Sequence, residues 1–162
     1  MDFEKSIKLG GISESTAENY FKSRGYKYHD VRNIKEYQLK DIDYIVEGLG
    51  SVEVKRNLHN AEKGRRGLFF WIELKVGGSE GWYYKSKADY FLFNGDSGFV
   101  LIKNSNGFRS IIDNAINNGN HEQDGENRID VTSDYRKSGY IQAHCMRVYL
   151  DLFKLRYKKY LY

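Results

Sequence analysis

Asp43, Glu53 and Lys55 are the residues of this chain whose types and spacing could do chemistry together. Two short alternating runs, residues 41–47 and 51–55, are separated by Gly48-Leu49-Gly50, and that pattern predicts a β-hairpin with a three-residue turn. On the first run Asp41, Asp43, Ile45 and Glu47 share one face, and on the second Ser51, Glu53 and Lys55 do. Pairing Glu47 with Ser51 sets Ile45 opposite Glu53 and Asp43 opposite Lys55, all on the same side of the hairpin. Asp43 and Glu53 then become diagonal neighbours about 7–8 Å apart, close enough for two carboxylates to share one cation.

Two such carboxylates repel and raise each other's pKa unless a cation lies between them. Carboxylate oxygens are the ligands magnesium takes, and it keeps several waters for chemistry. A lysine beside that ion can orient or deprotonate one of those waters. Attack of such a water on a phosphodiester, with the ion stabilising the pentavalent phosphorus and the leaving oxygen, completes a hydrolytic mechanism. The same three residues also describe a solvated polar hairpin face with a cross-strand ion pair.

The order Glu18, Asp43, then Glu53-Val54-Lys55 resembles the PD-(D/E)XK nuclease superfamily, which includes restriction enzymes, Holliday junction resolvases and phage nucleases. That pattern is a helical acid, an acid in a strand, and an acid-x-lysine tripeptide on the next strand. The segments KDIDYIV and SVEVK look like the hairpin of those nucleases. LFFWIEL followed by GWYYKSKADYFLF looks like the region downstream of it in phage and restriction-like members, so the resemblance runs over about residues 15–93. It implies a restriction-endonuclease-like three-layer α/β sandwich, with a central mixed sheet flanked by helices, and residues 1–162 as one nuclease domain. By the same resemblance Asp43, Glu53 and the Val54 carbonyl hold a Mg2+ ion that Mn2+ can replace, Lys55 positions the water, and Glu18 completes or extends the metal shell. Ile42 stands where the family pattern has proline. Glu73-Leu74-Lys75 is a second acid-x-lysine run with no partner acid one hairpin away, so Glu73 is a secondary candidate that could reach the site from a neighbouring strand.

The implied activity is a metal-dependent endonuclease acting on DNA, encoded by a phage or mobile element; the sequence leaves RNA open as a substrate. One alternative is a junction resolvase working as a homodimer. Another is a catalytically silent nuclease fold used as a binding protein, for example to block a host defence, although the intact set of Asp43, Glu53 and Lys55 argues for activity. Arg56, Lys63, Arg65 and Arg66 lie in a polar segment directly after the tripeptide and are the preferred phosphate contacts, with Lys85 and Lys87 next.

Several elements must position these residues. Ser15 with Glu18 three residues on reads as a capping box, Ala17, Tyr20 and Phe21 share a face, and Gly25 is a terminator, which predicts a helix over 15–24. Residues 68–74 read as a buried central strand, Gly77-Gly78 as a turn, and 88–93 and 99–103 as further strands. A helix is expected over 108–116, a loop over 117–127, and an amphipathic basic helix over 146–162. The single Cys145 excludes an internal disulfide and cysteine-rich zinc sites, and no pair of the four histidines has metal-ligand spacing. A formal charge of +4 and 30% charged residues suit a polyanionic partner. No apolar run reaches membrane-span length and the N-terminus lacks a signal-peptide core, so a cytoplasmic protein is expected, in the host's cytoplasm if phage-encoded.

Overall fold

Helix α1 (residues 16–23) buries Ala17, Tyr20 and Phe21 and stops where the sequence says it should. Gly25 takes a φ of 71°, the Tyr26 N–H bonds the Phe21 carbonyl at 2.9 Å, and the Gly25 N–H bonds Lys22 at 3.0 Å. Those paired bonds around a left-handed glycine satisfy carbonyls the helix would otherwise orphan. The computed structural model describes residues 16–56, 58–60, 68–95, 98–117, 130–136 and 141–149.

Beyond α1 the chain forms β1 (Tyr28–Asp30), the one-turn α2 (Lys35–Gln38), β2 (Tyr44–Val46), β3 (Gly50–Lys55) and β4 (Leu58–Asn60). Next come β5 (Leu68–Val76), β6 (Ser79–Glu80), α3 (Trp82–Lys85), β7 (Tyr90–Gly95), β8 (Gly98–Lys103) and α4 (Asn106–Asn117). Strands β9 (Asp130–Arg136) and β10 (Ile141–Tyr149) follow. A mixed five-stranded sheet runs β1-β2-β3-β7-β8; β1, β2 and β3 are antiparallel, β3 and β7 parallel, β7 and β8 antiparallel. A second, antiparallel sheet runs β4-β5-β10-β9, with β6 on β5.

This is an α/β fold around a mixed sheet, as expected, but one covering layer differs from the expectation of helices alone. One face of the mixed sheet packs on α1 through Tyr44, Val46, Val52, Leu92 and Leu101. The other packs Phe91, Phe93, Val100 and Ile102 against Phe70 and Ile72 of β5, Trp82 and Tyr83 of α3, and Phe108 and Ile112 of α4. Phe70 and Phe93 stack with ring centroids 4.2 Å apart, joining the two sheets. Residues 68–74 do form a buried central strand, but in this second sheet.

The hairpin exists, in a different register. Val46 pairs with Gly50, Ile45 with Ser51 and Tyr44 with Val52, so the turn is Glu47-Gly48-Leu49. Gly50 belongs to the strand because its φ of 125° suits glycine and a Cβ there would lie 2.6 Å from the Asp89 carboxylate. That carboxylate accepts the Ser51 N–H at 2.8 Å and the Ser51 hydroxyl at 2.7 Å, locking the start of β3. The displacement is by two residues, so the faces are kept and Asp43 falls beside Glu53 instead of Lys55.

The C-terminal helix expected over 146–162 is corrected in its first turn: residues 146–149 are the end of β10, where Met146 pairs with both Ile72 and Val131. The alternation of polar and apolar side chains over 141–149 suits a strand bonded on both edges. Residues 150–162 lie outside the described residues, as do Ser15 and the expected loop over 118–127.

Gly81 pins α3 to β5. A Cβ there would sit 2.2 Å from the Glu73 carbonyl oxygen and 2.5 Å from its carbon, while the Gly81 N–H bonds Leu74 at 2.8 Å. Backbone cannot yield as a side-chain tip can, so Gly81→Ala is expected to cost about 1–3 kcal/mol or more. A urea midpoint unchanged from the parent protein would refute that close approach.

Candidate active site

Strand β3 lies between β2 and β7, and a strand residue turns its N–H and C=O to the same side. Strand β2 begins only at Tyr44, opposite Val52, so the Val54 N–H lies beyond the ladder on that side. The Asp43 carboxylate takes it, Oδ2 accepting at 2.7 Å, while the Asp43 N–H donates to the Val52 carbonyl at 3.0 Å. The Val54 carbonyl therefore faces the same side as the Asp43 carboxylate. Burial pushes the Asp43 carboxyl up from its usual range, against the opposing pull of the Val54 N–H, Lys55 and Arg32.

Glu53 is 2% exposed and sits beside Phe91 on β7. Its Oε1 pairs with the Lys55 ammonium, and its Oε2 is buried with no hydrogen-bond partner among the described residues. Burial raises the Glu53 carboxyl from 4.5 to about 7, even though Lys55 and the nearby Ser86 hydroxyl favour its charged form. The Lys55 ammonium also lies 5.3 Å from the centre of the Trp82 ring, whose π-face favours a cation. Asp41 raises both acids further by its charge, from a φ of 50°, a left-handed conformation that aspartate tolerates better than most residues. Its carbonyl accepts the Ser86 hydroxyl at 3.2 Å.

Glu18 stands on the α1 side of the sheet with partners of its own. The Tyr28 hydroxyl donates to Oε2 at 3.2 Å, the Tyr44 hydroxyl to Oε1 at 3.4 Å, and Arg32 and Lys22 lie at 3.6 and 3.9 Å. Arg32 is held by Asp30, whose carboxyl it keeps below the usual range. Glu18 thus connects to the Asp43 neighbourhood through Arg32, with no bond to Asp43 or Glu53 among its contacts. Glu73 lies on β5, whose sheet neighbours are β4, β6 and β10, so it is not on a strand adjacent to β3.

Arg56 is exposed at the end of β3, and Lys85 and Lys87 are exposed on either side of the buried Ser86. Lys63, Arg65 and Arg66 lie outside the described residues. Sequence reasoning did not find Arg32, the Trp82–Lys55 contact, Ser86 or Arg109; nothing local marks them, because each meets the site from a separate element.

Among the described residues no three His, Cys, Asp or Glu side chains form a metal-holding group. The residues of this site that could offer oxygen donors to a divalent cation are Asp43, Glu53 and the Val54 carbonyl. The buried Oε2 of Glu53 fits that use: the Ser86 hydroxyl favours its charge from nearby but is directed to the Asp41 carbonyl, so Oε2 has no hydrogen-bond partner among the described residues and a proton or a cation would satisfy it. No family model matches this chain, and no curated protein and no solved structure matches it either. No helix among the described residues is long and apolar enough to cross a membrane.

Proposed function

We propose that this chain is a magnesium-dependent endonuclease of the PD-(D/E)XK type that hydrolyses DNA phosphodiesters. The observation that carries the reading is Glu53. A carboxylate 98% buried, with one oxygen on a lysine and the other unsatisfied, beside a second acid of raised pKa, is a costly arrangement for a surface hairpin. It makes sense as a cation site with a lysine at its edge. One further feature supports it: the mixed sheet with an antiparallel β1-β2-β3 unit and a parallel β7.

In this reading Asp43, Glu53 and the Val54 carbonyl hold the ion, which when bound supplies Lewis-acid stabilisation of charge on the phosphate and makes water more acidic. Lys55, kept half-exposed between Glu53 and the Trp82 face, orients the attacking water and can take up or return its proton. Trp82, Phe91 and Phe93 exclude water from the Glu53 side, which strengthens each interaction there. Phosphate contacts fall to Arg56 and the segment after it, with Lys85 and Lys87 beyond.

The test is incubation with plasmid, linear, single-stranded and four-way-junction DNA, with Mg2+ or Mn2+ and with EDTA. Metal-dependent plasmid nicking supports the reading; cutting of junctions alone makes the protein a resolvase; binding without cutting makes it a silent relative. RNA is added as a fifth substrate. Replacing Arg56, Lys63, Arg65 and Arg66 with Ala should lower the slope of log affinity against log salt by about 0.9 per lost phosphate contact on duplex DNA. An unchanged slope would move the phosphate contacts to another surface.

A further inference from the structure

The turn that roofs the acidic site is too short to hold itself. Helix α3 has four residues, and such a turn leaves its terminal carbonyls in need of donors. Arg109, on α4, supplies them. Its NH1 donates to the Tyr83 carbonyl at 2.5 Å and its NH2 to the Ser86 carbonyl at 3.2 Å. Its Nε donates to the Asn104 side chain at 2.7 Å, and its guanidinium lies 4.7 Å from the centre of the Tyr83 ring. Asn104 in turn donates to the Ala88 carbonyl at 2.7 Å, and the Tyr83 hydroxyl bonds back to the Arg109 carbonyl and to Asp113 at 3.2 and 3.0 Å. The whole stretch 83–88 is thereby tied to α4.

That stretch also touches the site at two points. Trp82 offers its ring to the Lys55 ammonium, and the Ser86 hydroxyl holds the Asp41 carbonyl two residues before Asp43. We infer that Arg109 is a positioning residue of the Glu53–Lys55 site: its fork sets the 82–86 turn, and the turn sets Lys55 and the approach to Asp43. This rests on the reading of that site as a cation-dependent hydrolytic centre. A planar five-donor fork is what two carbonyls of the 82–86 turn and the Asn104 side chain together require; a lysine can reach one of them and keeps the charge but not the geometry.

The experiment compares Arg109→Lys and Arg109→Ala with Ile112→Val, a core change on the same helix that lowers stability without touching the fork. All are made in the full chain with Trp71→Phe, so that Trp82 fluorescence reports Mn2+ titration. Measurements are made well below each melting temperature, on plasmid cleavage and on Mn2+ binding alone. Both Arg109 variants should weaken Mn2+ binding by about 10-fold or more. They should lower kcat by about 10- to 100-fold, while KM for DNA moves by less than about twofold. Ile112→Val should leave all three at parent values.

If the Arg109 variants bind Mn2+ and cleave like the parent once corrected for folded fraction, Arg109 is only a clamp of the core and the inference is wrong, with the nuclease reading intact. If the parent itself neither binds Mn2+ nor cuts any nucleic acid, the nuclease reading fails and the positioning role falls with it.

Discussion

Glu53→Gln, Asp43→Asn and Lys55→Met should each lower DNA cleavage by at least about 10²- to 10³-fold, the usual loss when a preorganised charge at a reaction centre is removed. Their effects on folding should differ, and the difference identifies what each residue does. In Asp43→Asn the amide oxygen can still accept the Val54 N–H, so the end of the β2–β3 ladder survives while the charge is lost. Asp43→Ala orphans that N–H and should cost about 1–3 kcal/mol in addition. Glu53→Gln removes a buried charge and should leave the metal-free protein as stable as the parent or more so. Lys55→Met does the opposite, leaving Glu53 buried without its cation, and should destabilise at neutral pH. Cleavage rates and urea midpoints measured together check this; cleavage at the parent rate in any of the three charge-removing variants would take that residue out of the site.

The candidate site was legible where its geometry is local. Alternation put Asp43, Glu53 and Lys55 on one face, and that parity survived a two-residue change of register. The register itself was not legible, because it is set by Gly50 fitting under Asp89, a contact between residues 39 positions apart in the chain. Hydrophobic pattern marked residues 68–74 as a buried strand without saying which sheet they join, since a continuous apolar run carries no information on its neighbours. The aromatic and aliphatic residues near 149–153 suggested a helix, and only pairing with β5 and β9 shows that residues 141–149 are a strand. The contacts of Glu18 with Tyr28, Tyr44 and Arg32 join an α1 residue to β1, β2 and the loop between them. Such contacts exist only after the sheet has formed, so spacing along the chain cannot announce them.

The cost of keeping Glu53 buried should be readable in the protein without any nucleic acid. Its carboxyl is raised from 4.5 to about 7, so between those values the folded chain retains a proton the unfolded chain has released. The unfolded state then binds fewer protons than the folded one, and stability falls as pH rises through this window. The contribution is fully present below pH 4.5 and gone above pH 7, up to about 3 kcal/mol, which for a chain of this size shifts the melting temperature by about 5–10 °C. Asp43, also raised by burial, acts in the same direction, whereas Asp30, held down by Arg32, gains stability with rising pH. The comparison that isolates the effect is therefore parent against Glu53→Gln across pH 4–8.5 in EDTA: the parent should lose stability relative to the variant as pH rises, and the variant should show a flatter curve. Adding Mg2+ at pH 8 should return much of the loss to the parent and little to Glu53→Gln, because a cation meets the unsatisfied Oε2 in its charged form. Parallel pH curves for the two proteins would mean that Glu53 ionises as it would in water; the buried carboxylate would then offer no driving force for taking up a cation, and the nuclease reading would lose its main support.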